Sequence, residues 1–197
     1  MSPGAPLKAP LRRVVDAGAS LLGRLQVQMV CRAAGSAPLV VLDIDNTIAD
    51  SWPSFLIPFP NHRRRLAGLD GLPNIKAIAH DEAIAKGASV LFLSHRNLWE
   101  WPVTYRWLRR HGFAATWRNV VLVGRPQDKV QHLARCARGR KVTVWDDLTF
   151  GHETGTVTEY VDVIASVRAL DVAYRGWDDI VAITGRTADR QGAAEPT

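Results

Sequence analysis

Residues 40–51 read VVLDIDNTIADS, an apolar run that breaks into Asp43 and Asp45 and is followed by Thr47. In an extended strand two carboxylates one residue apart share a face, and unpaired like charges on a buried face repel. The pair therefore needs a cation or several N–H donors nearby. Further along, LFLS closes an apolar run on Ser94, RPQDKV carries Lys129, and KVTVWDD closes another run on Asp146 and Asp147. Asp43, Asp146 and Asp147 together form an oxygen-rich set suited to a hard divalent ion. Mg²⁺ prefers one or two carboxylates together with water and substrate phosphate. Lys129 and Arg96 would balance the remaining charge and grip phosphate oxygens.

These residues can act together only if the fold gathers them. LVVLDI (39–44), SVLFLS (89–94), NVVLVG (119–124) and KVTVWDD (141–147) are short apolar runs of the kind buried on both faces of a parallel sheet. The spacing predicts helices over 11–33, 74–87, 98–111, 128–137 and 157–169, with a short strand at 171–174. Strands alternating with helices argue for an α/β Rossmann-like three-layer sandwich around a mainly parallel sheet. Right-handed crossovers place every strand's C-terminal end on one edge, where such sheets bind ligands. Asp43, Ser94 and Asp146 all lie at such ends.

As a set the motifs resemble those of the haloacid dehalogenase superfamily. DIDNT matches its DxDxT signature; Ser94, Lys129 and the Asp146–Asp147 pair follow in the order of its other motifs, over roughly residues 39–175. The resemblance implies a Mg²⁺-dependent phosphohydrolase that cleaves phosphomonoesters through an aspartyl-phosphate. Asp43 would be the nucleophile, and Asp45 the acid that protonates the leaving oxygen and then activates water. Mg²⁺ would be held by Asp43, the backbone carbonyl of Asp45 and Asp146, with Asp147 either binding it through water or anchoring Lys129. Thr47 would bind on the phosphate side or order the loop, Ser94 and Arg96 would contact the phosphate, and Lys129 would pair with Asp43 and phosphate. An acid at the third motif position favours a phosphatase over a dehalogenase. LSHRN (93–97) with RPQDK further resembles the 3′-phosphatase domain of polynucleotide kinase-phosphatases, although His95 and Asn46 stand where glycine is usual and no kinase P-loop occurs. The expected substrate is a nucleotide or nucleic-acid phosphate end; a small phosphorylated metabolite is the alternative, and a non-catalytic phosphate-binding module a weaker one.

Composition sets the surroundings. The chain has 197 residues and a net charge of +6, which suits an anionic partner. Its two cysteines, Cys31 and Cys136, show no CxxC spacing and read as reduced thiols of a cytoplasmic protein. No apolar stretch is long enough for a membrane span, and no histidine spacing suggests zinc. Residues 1–35 read as a tail and a helix docked on the domain, 36–184 as the phosphatase domain, and 185–197 as a disordered tail. Residues 49–73, with Pro53, Pro58, Pro60 and Pro73, read as an irregular flap over a site with no room for a folded cap. The flap aromatics Trp52, Phe55 and Phe59 are expected to pack on the core and the run His62–Arg65 to face solvent. Trp99, Trp101 and Trp107 are expected in the core or in helix packing.

Overall fold

The computed structural model describes residues 9–55, 61–151 and 157–185. Helix α1 (Ala9–Ala34) leads through a turn into strand β1 (Leu39–Leu42), buried at every position. The segment expected to be irregular holds strand β2 (Ala49–Asp50), helices α2 (Trp52–Phe55) and α3 (His62–Ala67), and strand β3 (Asp70–Gly71), which pairs antiparallel with β2. A side-chain cap starts α3: Asn61 Oδ1 accepts from the backbone N–H groups of Arg63 and Arg64. The helix expected at 74–87 is a π-helical turn (Lys76–Asp81) running into α4 (Glu82–Ala85).

Strand β4 (Ser89–His95), a 3₁₀ turn (Leu98–Glu100), helix α5 (Trp101–Arg110), strand β5 (Val120–Val123), helix α6 (Asp128–Cys136) and strand β6 (Val142–Trp145) follow near their expected places. Strands β7 (Thr149–Phe150) and β8 (Thr158–Glu159) pair antiparallel. Helix α7 (Val161–Arg168), strand β9 (Ala173–Arg175) and helix α8 (Trp177–Thr184) complete the described chain. Two-residue strands are too short to show a hydrophobic period, which is why periodicity misses both small pairs.

Five strands form a parallel sheet in the order β5-β4-β1-β6-β9. Alternation along each strand divides the core in two. Val40, Leu42, Val90 and Phe92 face a layer built from Leu66, Val103, Trp107 and Ile180 on α3, α5 and α8. Leu39, Val41, Leu91 and Leu93 face Val27, Val30, Leu133 and Val167 on α1, α6 and α7. This is the expected three-layer α/β sandwich. The chain builds outward from β1 to β4 and β5, then returns to the other side of β1 as β6. The C-terminal ends of β1 and β6 therefore flank the switch point, where an α/β sheet leaves a crevice.

Helix α1 docks through Gln26, Val27, Val30 and Cys31, which are buried, while Leu21, Leu22 and Leu25 on it are exposed. Gly23 allows the close approach, since a Cβ there would lie 3.2 Å from Val121. Of the tryptophans, Trp107 is buried and donates its indole N–H to Leu69 O at 2.7 Å, and Trp101 donates to Val120 O, but Trp99 is exposed. The run His62–Arg65 splits, because Arg65 turns inward while Arg63 and Arg64 face solvent. Trp52 packs inside as expected. The expectations for residues 1–8, Phe59, the side chain of Phe55 and residues 186–197 lie outside the described residues. No helix among the described residues is long and apolar enough to cross a membrane.

Candidate active site

Strand β1 delivers Asp43 to the crevice. Its backbone N–H continues the ladder to Trp145 O at 2.9 Å, so the carboxylate leaves the sheet at a fixed height beside the end of β6. β6 delivers Asp146 and Asp147. Asp146 N donates to Arg175 O at 3.1 Å, and Tyr174 Oη donates to Asp146 O at 2.9 Å, so the neighbouring strand β9 holds this end. The chain then bends sharply at Leu148, a non-glycine residue at φ 46°. That left-handed backbone turns Leu148 N back onto Asp146 Oδ1 at 3.1 Å.

Lys129 comes from the first turn of α6. Its ammonium donates to Asp146 Oδ2 at 2.7 Å and lies 3.0 Å from Asp43 Oδ1. Burial alone would drive the proton off this amine, but the charges of Asp146 and Asp43 outweigh it and hold the group protonated. Burial acts on Asp146 and Asp147 with the opposite sign, favouring their protonated forms. Burial raises Asp146, Lys129 pulls it down, and Asp43 pushes it up again, leaving it at about 7. Asp147 is raised well above the ordinary carboxylate range by burial and by the charges of Asp43 and Asp146. One ammonium among three buried carboxylates leaves excess negative charge.

That excess is what a cation would neutralise. Asp43, Asp146 and Asp147 each offer an oxygen within 4.8 Å of the others. Asp43 Oδ1 is buried without a hydrogen bond, its ion pair to Lys129 notwithstanding. All donors are hard oxygens, so the cluster is able to chelate a divalent cation of the Mg²⁺ class. Thr47, fully buried, braces it: its hydroxyl donates to Asp147 Oδ1 at 3.2 Å and accepts from Asp147 N at 3.1 Å. Thr149 also donates to Asp147.

Asp45 stands apart from this cluster. Its carboxylate accepts Arg96 Nε at 2.6 Å and Nη2 at 2.7 Å as a bidentate fork, and Ser51 Oγ at 2.5 Å. Arg96 is itself buried, with Nη1 donating to Thr104 Oγ1 at 2.9 Å. Burial pushes the Asp45 carboxyl up, but the charge and hydrogen bonds of Arg96, with help from Ser51, hold it below the usual range. Ser94, at the end of β4, has a buried hydroxyl with no hydrogen-bond partner. Asn46, where the resemblance expects glycine, sits at φ 55°. Asparagine is among the few residues that tolerate that backbone, so the turn between Asp45 and Thr47 survives the replacement.

Asp43, Asp45, Ser94, Arg96, Lys129, Asp146 and Asp147 all line one cavity of about 440 Å³. Its rim holds groups that motif reading does not assign. His62 Nε2 meets Glu100 Oε1 at 2.7 Å, and Arg65 Nη2 meets His62 Nδ1 at 2.9 Å. Glu100 also accepts from Asn97 N at 3.1 Å. The Asn97-x-x-Glu100 spacing of a capped helix start was the available signal for Glu100. For His62 and Arg65 the sequence offers none, since only the position of α3 distinguishes them from Arg63 and Arg64.

No protein-family model and no curated protein sequence matches the chain. Among solved structures, a class C acid phosphatase from Bacillus anthracis with tungstate bound is similar, with a TM-score of 0.51 and 17% identity, covering 94% of this chain and 89% of that one. Another structure of the class C acid phosphatase from Bacillus anthracis gives a TM-score of 0.50 and 16% identity, covering 93% and 89%. The shared feature at this identity is the fold, a haloacid-dehalogenase-like Rossmannoid architecture. Neither structure singles out the polynucleotide 3′-phosphatase resemblance.

Proposed function

We propose that the chain is a Mg²⁺-dependent phosphohydrolase that cleaves small phosphomonoesters through an aspartyl-phosphate on Asp43. The observation that carries the reading is the gathering of Asp43, Asp146 and Asp147 around Lys129 at the sheet's switch point. Asp43, Asp146 and Asp147, with the backbone carbonyl of Asp45, would hold Mg²⁺. The bound ion would shield the nucleophile from phosphate repulsion and spread the charge of the transferring group.

Asp43 attacks phosphorus, forming the carboxylate–phosphorus bond as the ester oxygen departs. Lys129, 3.0 Å from Asp43 Oδ1, pairs with the nucleophile and contributes positive charge toward the phosphoryl oxygens. Ser94, whose hydroxyl has no internal partner, donates to one of those oxygens. Asp45 gives a proton to the leaving oxygen, then takes one from the water that hydrolyses the intermediate. Its low proton affinity beside Arg96 belongs to the free site, and the negative charge of a bound phosphate raises it. Arg96 fixes the direction of that carboxylate and itself lines the cavity. Thr47 holds Asp147 in place.

A cavity of about 440 Å³ under α3 matches a small ester, within the range of small-molecule sites. One observation favours a polyanionic substrate instead. A second groove across α3 is lined by Arg63, Arg64, Arg106 and Arg110 beside the exposed Trp99, a pairing of cations and aromatic that suits nucleic acid.

The test is phosphate release with Mg²⁺ from sugar phosphates, nucleotides and 3′-phosphorylated oligonucleotides, with Asp43→Asn alongside. Turnover of small esters by the wild type and none by the variant is expected. Undiminished turnover in Asp43→Asn would remove the nucleophile, and preference for oligonucleotides would move the substrate to the second groove.

A further inference from the structure

Cys31, near the end of α1, and Cys136, the last residue of α6, are 105 positions apart in the chain, yet their sulfurs lie 3.6 Å apart. Both are free thiols in the core layer beneath the sheet. Cys136 is sealed, but Cys31 reaches the floor of an open basic cavity lined by Arg32, Arg135, Arg138 and Arg140. Arg140 Nη1 donates to Cys31 O at 2.8 Å, which holds the guanidinium beside this end of α1. We propose that Cys31 and Cys136 are a reversible redox pair, closed by hydrogen peroxide into an intramolecular disulfide that ties α1 to α6.

The two sulfurs divide the work. The hydrogen bond between the two sulfurs lowers Cys31 to about 7 against the opposing effect of burial, with Arg140 and Arg135 adding to the lowering. The same bond, with burial, pushes Cys136 up. Cys31 is therefore the thiolate and the accessible one, and Cys136 the resolving thiol. The Cys31 thiolate attacks one peroxide oxygen, the O–O bond breaks, and the departing hydroxide takes a proton to become water. Cys136 then attacks the sulfenic sulfur, releases its proton and forms the S–S bond, while the sulfenic oxygen leaves as a second water. Two thiols lose two electrons, and one peroxide gains them. The sulfurs must close by roughly 1.5 Å to reach bonding distance, a shift within reach of side-chain rotation.

The test treats the folded full-length protein with a small excess of hydrogen peroxide, then blocks thiols under denaturing conditions for intact-mass and peptide analysis. The expected product is a monomer lighter by two hydrogens, with the Cys31 and Cys136 peptides joined and separated again by dithiothreitol. In Cys136→Ser, a sulfenic acid trapped by dimedone on Cys31 is expected. Survival of both thiols, a disulfide between two molecules, or sulfinic acid on Cys31 with Cys136 still free would each overturn the proposal. Phosphatase assays play no part in these readouts, so the pair stands or falls separately from the function proposed above.

Discussion

Replacing Arg96 with methionine removes one charge from a buried ion pair while keeping much of the side-chain volume. The Arg96 side chain is 2% exposed and that of Asp45 is 22% exposed, with Nε and Nη2 at 2.6 Å and 2.7 Å from the carboxylate. Breaking a buried pair from one side costs about 3–5 kcal/mol, because the other charge stays behind without its partner. Water reaches Asp45 to some extent and Ser51 still donates to it, so the lower end, about 3 kcal/mol, is expected. For a domain of this size that lowers the unfolding midpoint by about 6–12 °C.

The loss depends on pH. In the wild type, Arg96 holds the Asp45 carboxyl below its unfolded value of 3.8, so its contribution is complete above that pH and disappears as pH falls through the folded value. In the variant burial acts without Arg96 and the carboxyl rises. The gap between the two proteins is therefore widest at neutral pH and narrows as pH drops and Asp45 of the variant takes a proton. Thermal unfolding of both proteins from pH 8 to pH 5 measures it. Equal midpoints at neutral pH, or a gap that widens toward acid, would refute the claim that Arg96 holds an ionised Asp45.

Mg²⁺ should raise the unfolding midpoint more at pH 8 than at pH 5, because protons compete for the same carboxylates. With the folded pKa of Asp146 raised to about 7, the metal-free protein loses stability as pH climbs from the unfolded value toward 7; a Mg²⁺ effect independent of pH, or one retained in Asp146→Asn, would contradict this. Asn46→Ala should destabilise by about 1–2 kcal/mol because its backbone is left-handed, whereas Asn46→Gly should be tolerated; chemical denaturation separates the two. Gln26→Leu keeps volume but removes the Nε2 donor to Trp117 O and Val120 O. Val120 O keeps Trp101 as a donor, so a cost of about 1–2 kcal/mol is expected in the same assay.

The strands and the acids that cluster at their ends were legible in the sequence because both are local. A continuous apolar run such as Val40–Leu42 or Val142–Val144 states its burial in its own residue types, and the acids that end it state that something cationic must meet them. Parallel topology then follows from the alternation of strands and helices, and with it the common edge where Asp43, Ser94 and Asp146 emerge. Other features depend on distances that no local pattern encodes. That Asp45 turns from the carboxylate cluster to Arg96, that Arg65 faces inward while Arg64 does not, and that Leu21, Leu22 and Leu25 lie on the outer side of α1 are decided by which face of each element meets its neighbour. The approach of Cys31 to Cys136 is of the same kind. Residue types set which groups can pair, and tertiary packing selects the pairs, because hydrogen bonds and ion pairs fall off within a few ångströms while positions on the chain lie a hundred residues apart.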